Sequence, residues 1–327
     1  MPDDVEFHTK TQIGLGQIDR ALSNGVRVAA WTFDELYACD GKFLDGLESR
    51  RQVFVGEVPT DFHGWVRKPT VERSGPKKRG RRKKYSRVGR RRPSCKVRNL
   101  LTYSPVFREQ SWQSYRIKDT DEGPEVWEVK WAEFWRKDED GLPTWRHCLI
   151  VARNVLTGEV KYFLSNRVPG ERNPVTGQWI TLRWLLRVAF GRWSIESCFR
   201  EGKEELGLDH YEVRGWRCIH RHFYLTQLSH LFCARVRQEY DDSPGDRPDR
   251  ITVEQVRSAT NAWLDTADLP PSARRQRFAD ELDKQQYYQR RNRQARVSHT
   301  KTRLQRLAAF GIKITQIKSC RPNTEAP

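Results

Sequence analysis

The stretch "GVRVAAWTFDELYACDGKFLDGLESRRQVFVGEVP", residues 25–59, limits the fold more than any other part of the chain. Residues 26–33 are nearly all apolar, which reads as a strand buried on both faces. "GKFLDGLESRR" (41–51) has helical spacing, and "QVFVGEVP" (52–59) is again strand-like. Strand, helix and strand in that order predict a βαβ unit with a parallel pair, and so an α/β fold. Asp34 stands at the end of the first strand. Upstream, "TKTQIGLGQIDRALSNG" (9–25) places Ile13, Ile18, Ala21 and Leu22 at helical intervals and stops at Asn24-Gly25, a helix with its C-cap. "GLGQID" has no strand before it and is not read as a dinucleotide loop.

From 60 to about 110 this pattern gives way to Pro, Gly and charge, read as a loop or disordered insert. Residues 77–98, "KKRGRRKKYSRVGRRRPSCKVR", hold thirteen Lys or Arg and no acid, and so account for most of the net +18. A local block of this kind points to a polyanion, nucleic acid before an anionic membrane surface. The candidate phosphate contacts are Lys77, Lys78, Arg79, Arg81, Arg82, Lys83, Lys84, Arg90, Arg91 and Arg92. No apolar run approaches the roughly 20 residues of a membrane span, and "MPDDVEFHTK" does not read as a signal peptide. The seven cysteines are scattered, with no CxxC pair. That argues against a disulfide framework or zinc knuckle and fits a reducing cytoplasm. "CIHRH" (Cys218, His220, His222) lies in an apparent helix without a second ligand pair, so His210, His220, His222 and His230 are assigned to packing and hydrogen bonding.

Residues 111–165 alternate aromatic and charged positions between turn signals at "DEGP", "EDGLP" and "LTGE", which predicts an antiparallel meander. Trp127, Trp131 and Trp135 fall in it and are read as core; the sharper alternative is that one stacks on an unpaired base. Helical spacing returns over 180–240, "DDSPGDRPDR" (241–250) reads as a linker, and the Arg/Gln-rich remainder as a helical tail.

On a helix over 184–206, Val188, Ile195, Phe199 and Leu206 form an apolar face, with Arg192, Glu196 and Lys203 beside it. Taken alone, Arg192 and Glu196 are an i,i+4 ion pair. The spacing Arg192-x3-Glu196-x6-Lys203 resembles the R, E and K of the Y-x2-R-x3-E-x6-K signature of DDE transposases. "FREGKEELGLDHYEVRGWRCIHRHFYLTQLSHLF" resembles insertion-sequence family 701, a relative of family 4. The segment ending in Asp34 resembles that family's second catalytic aspartate segment, "WRHCLIVARN" and "YFLSN" resemble further family segments, and "YYQRRNRQARVSH" its tail.

The resemblance implies a ribonuclease-H-like core (1–59 and 179–240) split by a β-rich insertion (60–178) and followed by a helical tail (241–327). It implies DNA strand cleavage and transfer with Mg²⁺ or Mn²⁺, Asp34 and Glu196 as metal ligands, and Arg192 and Lys203 on phosphate. The partners it implies are double-stranded DNA at transposon ends and target, and a second copy of the chain, in the nucleoid. Two-metal phosphoryl transfer suits carboxylates, which are hard oxygen ligands. Two positions depart from the pattern. The signature Tyr position is Ala189, beside Phe190. The family's first catalytic Asp belongs to a strand earlier than the segment "PDDVEFHTKTQIGL" resembles. The resemblance therefore implies an N-terminally shortened, incomplete enzyme. Two alternatives are a non-catalytic DNA-binding remnant acting as regulator or inhibitor, and a simple nuclease on the same fold.

Overall fold

The computed structural model describes residues 6–72, 86–89, 93–242, 251–266 and 268–320. The described residues divide into a sheet unit (within 6–192, and 299–320) and a helical unit (within 193–298).

In the sheet unit, α1 (Lys10–Ser23) begins at a capping box between Thr9 and Gln12 and ends at Asn24 and Gly25, as expected. Then come β1 (Trp31–Phe33), α2 (Glu35–Ala38), α3 (Gly41–Ser49) and β2 (Phe54–Glu57). β1 and β2 pair in parallel, with Trp31, Thr32 and Phe33 opposite Phe54, Val55 and Gly56, so the βαβ reading holds. β1 is shorter than the expected 26–33 and is not buried on both faces, because Thr32 is exposed. The physical reason is its place: β1 ends the sheet and pairs only along a four-residue partner.

The segment expected to be a loop from 60 to 110 also contains ordered structure. It carries β3 (His63–Trp65), β4 (Val71–Glu72), β5 (Arg87–Val88), β6 (Cys95–Lys96), α4 (Val97–Tyr103) and α5 (Pro105–Arg108). Val97, Leu100 and Phe107 are fully or almost fully buried. The last turn of the basic block is thus anchored in the core, and β6 pairs with β3. Apolar residues spaced among prolines and cations had hidden this.

The aromatic segment forms the expected meander, β7 (Gln113–Thr120), β8 (Gly123–Lys137), β9 (Pro143–Asn154) and β10 (Val160–Ser165). β10 pairs antiparallel with β2, so meander and βαβ unit share one sheet in the order β1-β2-β10-β9-β8-β3-β6, with β7 also paired to β8. Successive residues on β9 feed different layers. Leu149 and Val151 join Phe33, Phe54, Leu44, Leu47 and Phe107 on one face. Ile150 and Ala152 join Trp127, Val55 and residues of α6 (Leu182–Gly191) on the other. Both faces of this sheet are covered, and the architecture is mixed α/β.

Two glycines allow close approach. A Cβ on Gly56 would lie 2.0 Å from the Phe33 ring, and one on Gly64 would lie 2.3 Å from the Phe134 ring and 2.4 Å from the Trp135 carbonyl oxygen. On β8, Lys130 is buried and donates from Nζ to the Phe107 carbonyl at 2.6 Å, with the Trp112 ring 4.8 Å away.

The helical unit contains α7 (Trp193–Leu206), α8 (Trp216–Asp242), α9 (Val253–Asp265) and most of α10 (Pro271–Ala309). From His299 on, α10 belongs to the sheet unit, where Arg303 donates to Thr120. There β11 (Lys318–Ser319) pairs with β7. The helical unit's apolar cluster is small: Cys233, Val253 and Val256, with Leu206, Val236 and Ile251 against them. No described helix is long and apolar enough to cross a membrane.

Candidate active site

Asp34 follows the last residue of β1 and takes an extended conformation as N-cap of α2. Its Oδ1 accepts from the Leu36 amide at 3.1 Å. Capping uses one carboxylate oxygen, and Oδ2 has no partner among the described residues. The side chain is exposed at the carboxyl edge of the β1–β2 pair, where open α/β sheets build their sites. The β1–β2 register ends at Phe33 opposite Gly56, and the next residue of β2 is Glu57. The sequence reading passed over Glu57. Its carboxylate is engaged by Lys161 Nζ at 2.9 Å, a partner from β10 that only the pairing of distant strands reveals.

The expected single helix over 184–206 is two helices, with Arg192 as the C-cap of α6. Val188, on α6, packs against the sheet, and Leu206 joins the small helical cluster. The apolar face expected of α7 is not buried: Ile195 is 50% and Phe199 48% exposed. Periodicity marks a face without stating whether anything covers it. Glu196, in the first turn of α7, and Lys203, in its last, are exposed, while Arg192 is half-buried. A carboxylate in a first turn and a cation in a last turn both favour the helix dipole.

The ten basic-block candidates Lys77 to Lys84 and Arg90 to Arg92 lie outside the described residues. Ala189 is buried and Phe190 partly buried. Its ring sits 4.9 Å from Trp127 and 5.2 Å from Phe163 in the core. Trp127 is 2% exposed, which fits the core reading; Trp131 packs against the same layer. His222 donates from Nε2 to the Gly207 carbonyl at 2.8 Å, and His220 packs on Trp216.

A second cluster was not legible beforehand. Cys198 Sγ lies 3.5 Å from His230 Nδ1, and His230 Nε2 lies 3.5 Å from Glu201. Nucleophile, base and orienting acid are in order, yet burial pushes the Cys198 thiol up, so it stays protonated and ties α7 to α8.

Among the described residues no three His, Cys, Asp or Glu side chains are grouped so as to hold a metal ion. Asp34 belongs to the sheet unit and Glu196 to the helical unit. The family model for DDE superfamily endonucleases matches residues 1–123. This stretch contains β1, β2 and Asp34, while Arg192, Glu196 and Lys203 lie beyond it. The match covers 123 of 327 residues, and over that stretch the chain is similar to DDE superfamily endonucleases. No curated protein matches the chain.

Proposed function

We propose that the chain is a DDE-type transposase polypeptide of the kind encoded by insertion sequences, related to family 701, acting on double-stranded DNA in the bacterial nucleoid. The observation that carries this reading is Asp34. It is an exposed carboxylate at the carboxyl edge of a parallel strand pair, inside the stretch that matches DDE superfamily endonucleases. In this reading residues 1–59 and 179–240 are a ribonuclease-H-like core, 60–178 its β-rich insertion and 241–327 a tail. Asp34 and Glu196 supply carboxylates, Arg192 and Lys203 hold phosphate, the 77–98 block grips the backbone, and two copies act together. Divalent ions are typical of this superfamily, and Mg²⁺ or Mn²⁺ would stabilise charge on the attacking and leaving oxygens. Asp34 and Glu196 are the side chains that would be offered to such an ion.

The alternative is a polypeptide that binds DNA and regulates or inhibits transposition without cutting. One assay separates the two: nicking of DNA carrying the element's ends, with Mg²⁺. Cleavage by the wild type, lost by at least 100-fold in both Asp34→Asn and Glu196→Gln, establishes the enzyme. Undiminished cleavage in either variant removes the site. Wild-type binding without cleavage establishes the second reading. In both readings affinity falls steeply with salt, with a log–log slope of about −0.9 per phosphate neutralised. A slope near zero would remove DNA as the partner.

A further inference from the structure

The helical unit contains a cavity of about 570 Å³ whose lining includes neither Asp34 nor Glu196. Its walls come from α8, the start of α9 and α10. The α10 wall is a single stripe at helical spacing: Gln285, Tyr288, Gln289, Asn292, Arg293 and Arg296. Facing it are Arg237, Ile251, Thr252, Glu254 and Gln255. Three arginines thus face one carboxylate, and from Lys284 to Ser298 the helix has five Lys or Arg and no acid. Arg237 leans on Glu201 at 3.7 Å, whereas Arg293 has no ion pair among the described residues. The α9 end is already closed by its capping box, so side chains, not backbone amides, supply the donors here.

This lining excludes several ligand classes. Ile251 alone is aliphatic, so an apolar ligand would find little to bury against. A single carboxylate cannot cage a hard cation. What the wall offers is guanidinium for phosphate, amide side chains that can pair with base edges, and the half-exposed ring of Tyr288 for a base to stack on. The volume admits one or two nucleotides and not a duplex. Resting on the DNA-acting function above, we propose that this groove binds an unpaired DNA strand, with Tyr288 stacking on a base and Arg293 and Arg296 on adjacent phosphates.

The test uses the full chain in EDTA, so that the outcome does not depend on cleavage at Asp34 and Glu196. Affinity for a fluorescent 12-nucleotide oligo-dT is measured against salt for the wild type, Tyr288→Ala, Tyr288→Phe and Arg293→Ala/Arg296→Ala. Loss of one stacked base in Tyr288→Ala is expected to weaken binding roughly 5- to 150-fold with an unchanged salt slope, and Tyr288→Phe restores it. The double arginine variant is expected to lower the slope by about 1.4, from two single-strand phosphate contacts. Duplex of equal length should be little affected by Tyr288→Ala. The groove assignment is overturned if all variants bind oligo-dT as the wild type does. Equal losses for duplex overturn it too, as does displacement of oligo-dT by poly-glutamate from the wild type and not from the arginine variant. Loss of nicking in the Asp34 and Glu196 variants with oligo-dT binding intact would leave this site standing, and the reverse would leave the active site standing.

Discussion

Acidification from pH 7 to 5 is expected to remove about 2 kcal/mol of folding stability through His147, the slope rising toward roughly 1.4 kcal/mol per pH unit below pH 6.5. The side chain is fully buried on β9, and burial, with Arg136 and Arg167 adding to it, holds its pKa down at about 3 against an ordinary 6.5. Nδ1 donates to the Trp145 carbonyl at 2.9 Å, while Nε2 has no partner. In the native state the ring therefore stays neutral, and the unfolded chain takes up the proton first. Between pH 6.5 and 3 the unfolded state binds more protons, so stability falls with falling pH and levels off below about 3. Above pH 5 most carboxylates are still ionised, while His63, its pKa also held down by burial, titrates in the same window, so the difference in slope between wild type and variant is the readout. The measurement is urea unfolding at pH 7, 6.5, 5.5 and 5, for the wild type and His147→Phe. The pH slope, not the starting stability, decides. A variant as steep as the wild type would remove His147 as the source.

Gly64→Ala is expected to lower stability by about 3 kcal/mol, or Tm by roughly 6–12 °C. The new methyl would meet the Phe134 ring, which is fully buried, and the backbone oxygen of Trp135. A ring can tilt, but the carbonyl belongs to the β3–β8 ladder and cannot yield without breaking the pairing of Gly64 with Arg136. Gly16→Ala on α1 is the internal contrast, since a Cβ there meets nothing within 4 Å. Helix propensity then predicts a gain of up to about 1 kcal/mol. Calorimetry on both settles the matter: opposite signs are expected, and a Gly64→Ala Tm within about 2 °C of the wild type would refute the close-approach argument.

The βαβ unit and the meander were legible because both are local: each rests on a period of two or 3.6 and on turn residues a few positions apart. Asp34 was legible for the same reason, since strand-end position can be read along the chain. The sheet that joins them was not. The pairing of β10 with β2 links residues more than a hundred positions apart, and nothing in "YFLSN" names its partner. Glu57 was overlooked for the same cause, since its partner Lys161 lies on that strand. Around Glu196 the spacing identified the residues but overstated burial, as Ile195 and Phe199 show. The Arg/Gln-rich tail was read as a helix, and only its register against α8 and α9 turned composition into a groove.

β1 has a neighbour along one side only, and that neighbour is four residues long. The Trp31 amide and indole each reach across, to Val53 and Gln52, and the pairing of the two strands ends at Phe33. Asp34 is mounted on the outermost rung and inherits its breathing. Chemistry that needs sub-ångström aim would gain from anything that braces that rung from outside, with no change to the carboxylate itself.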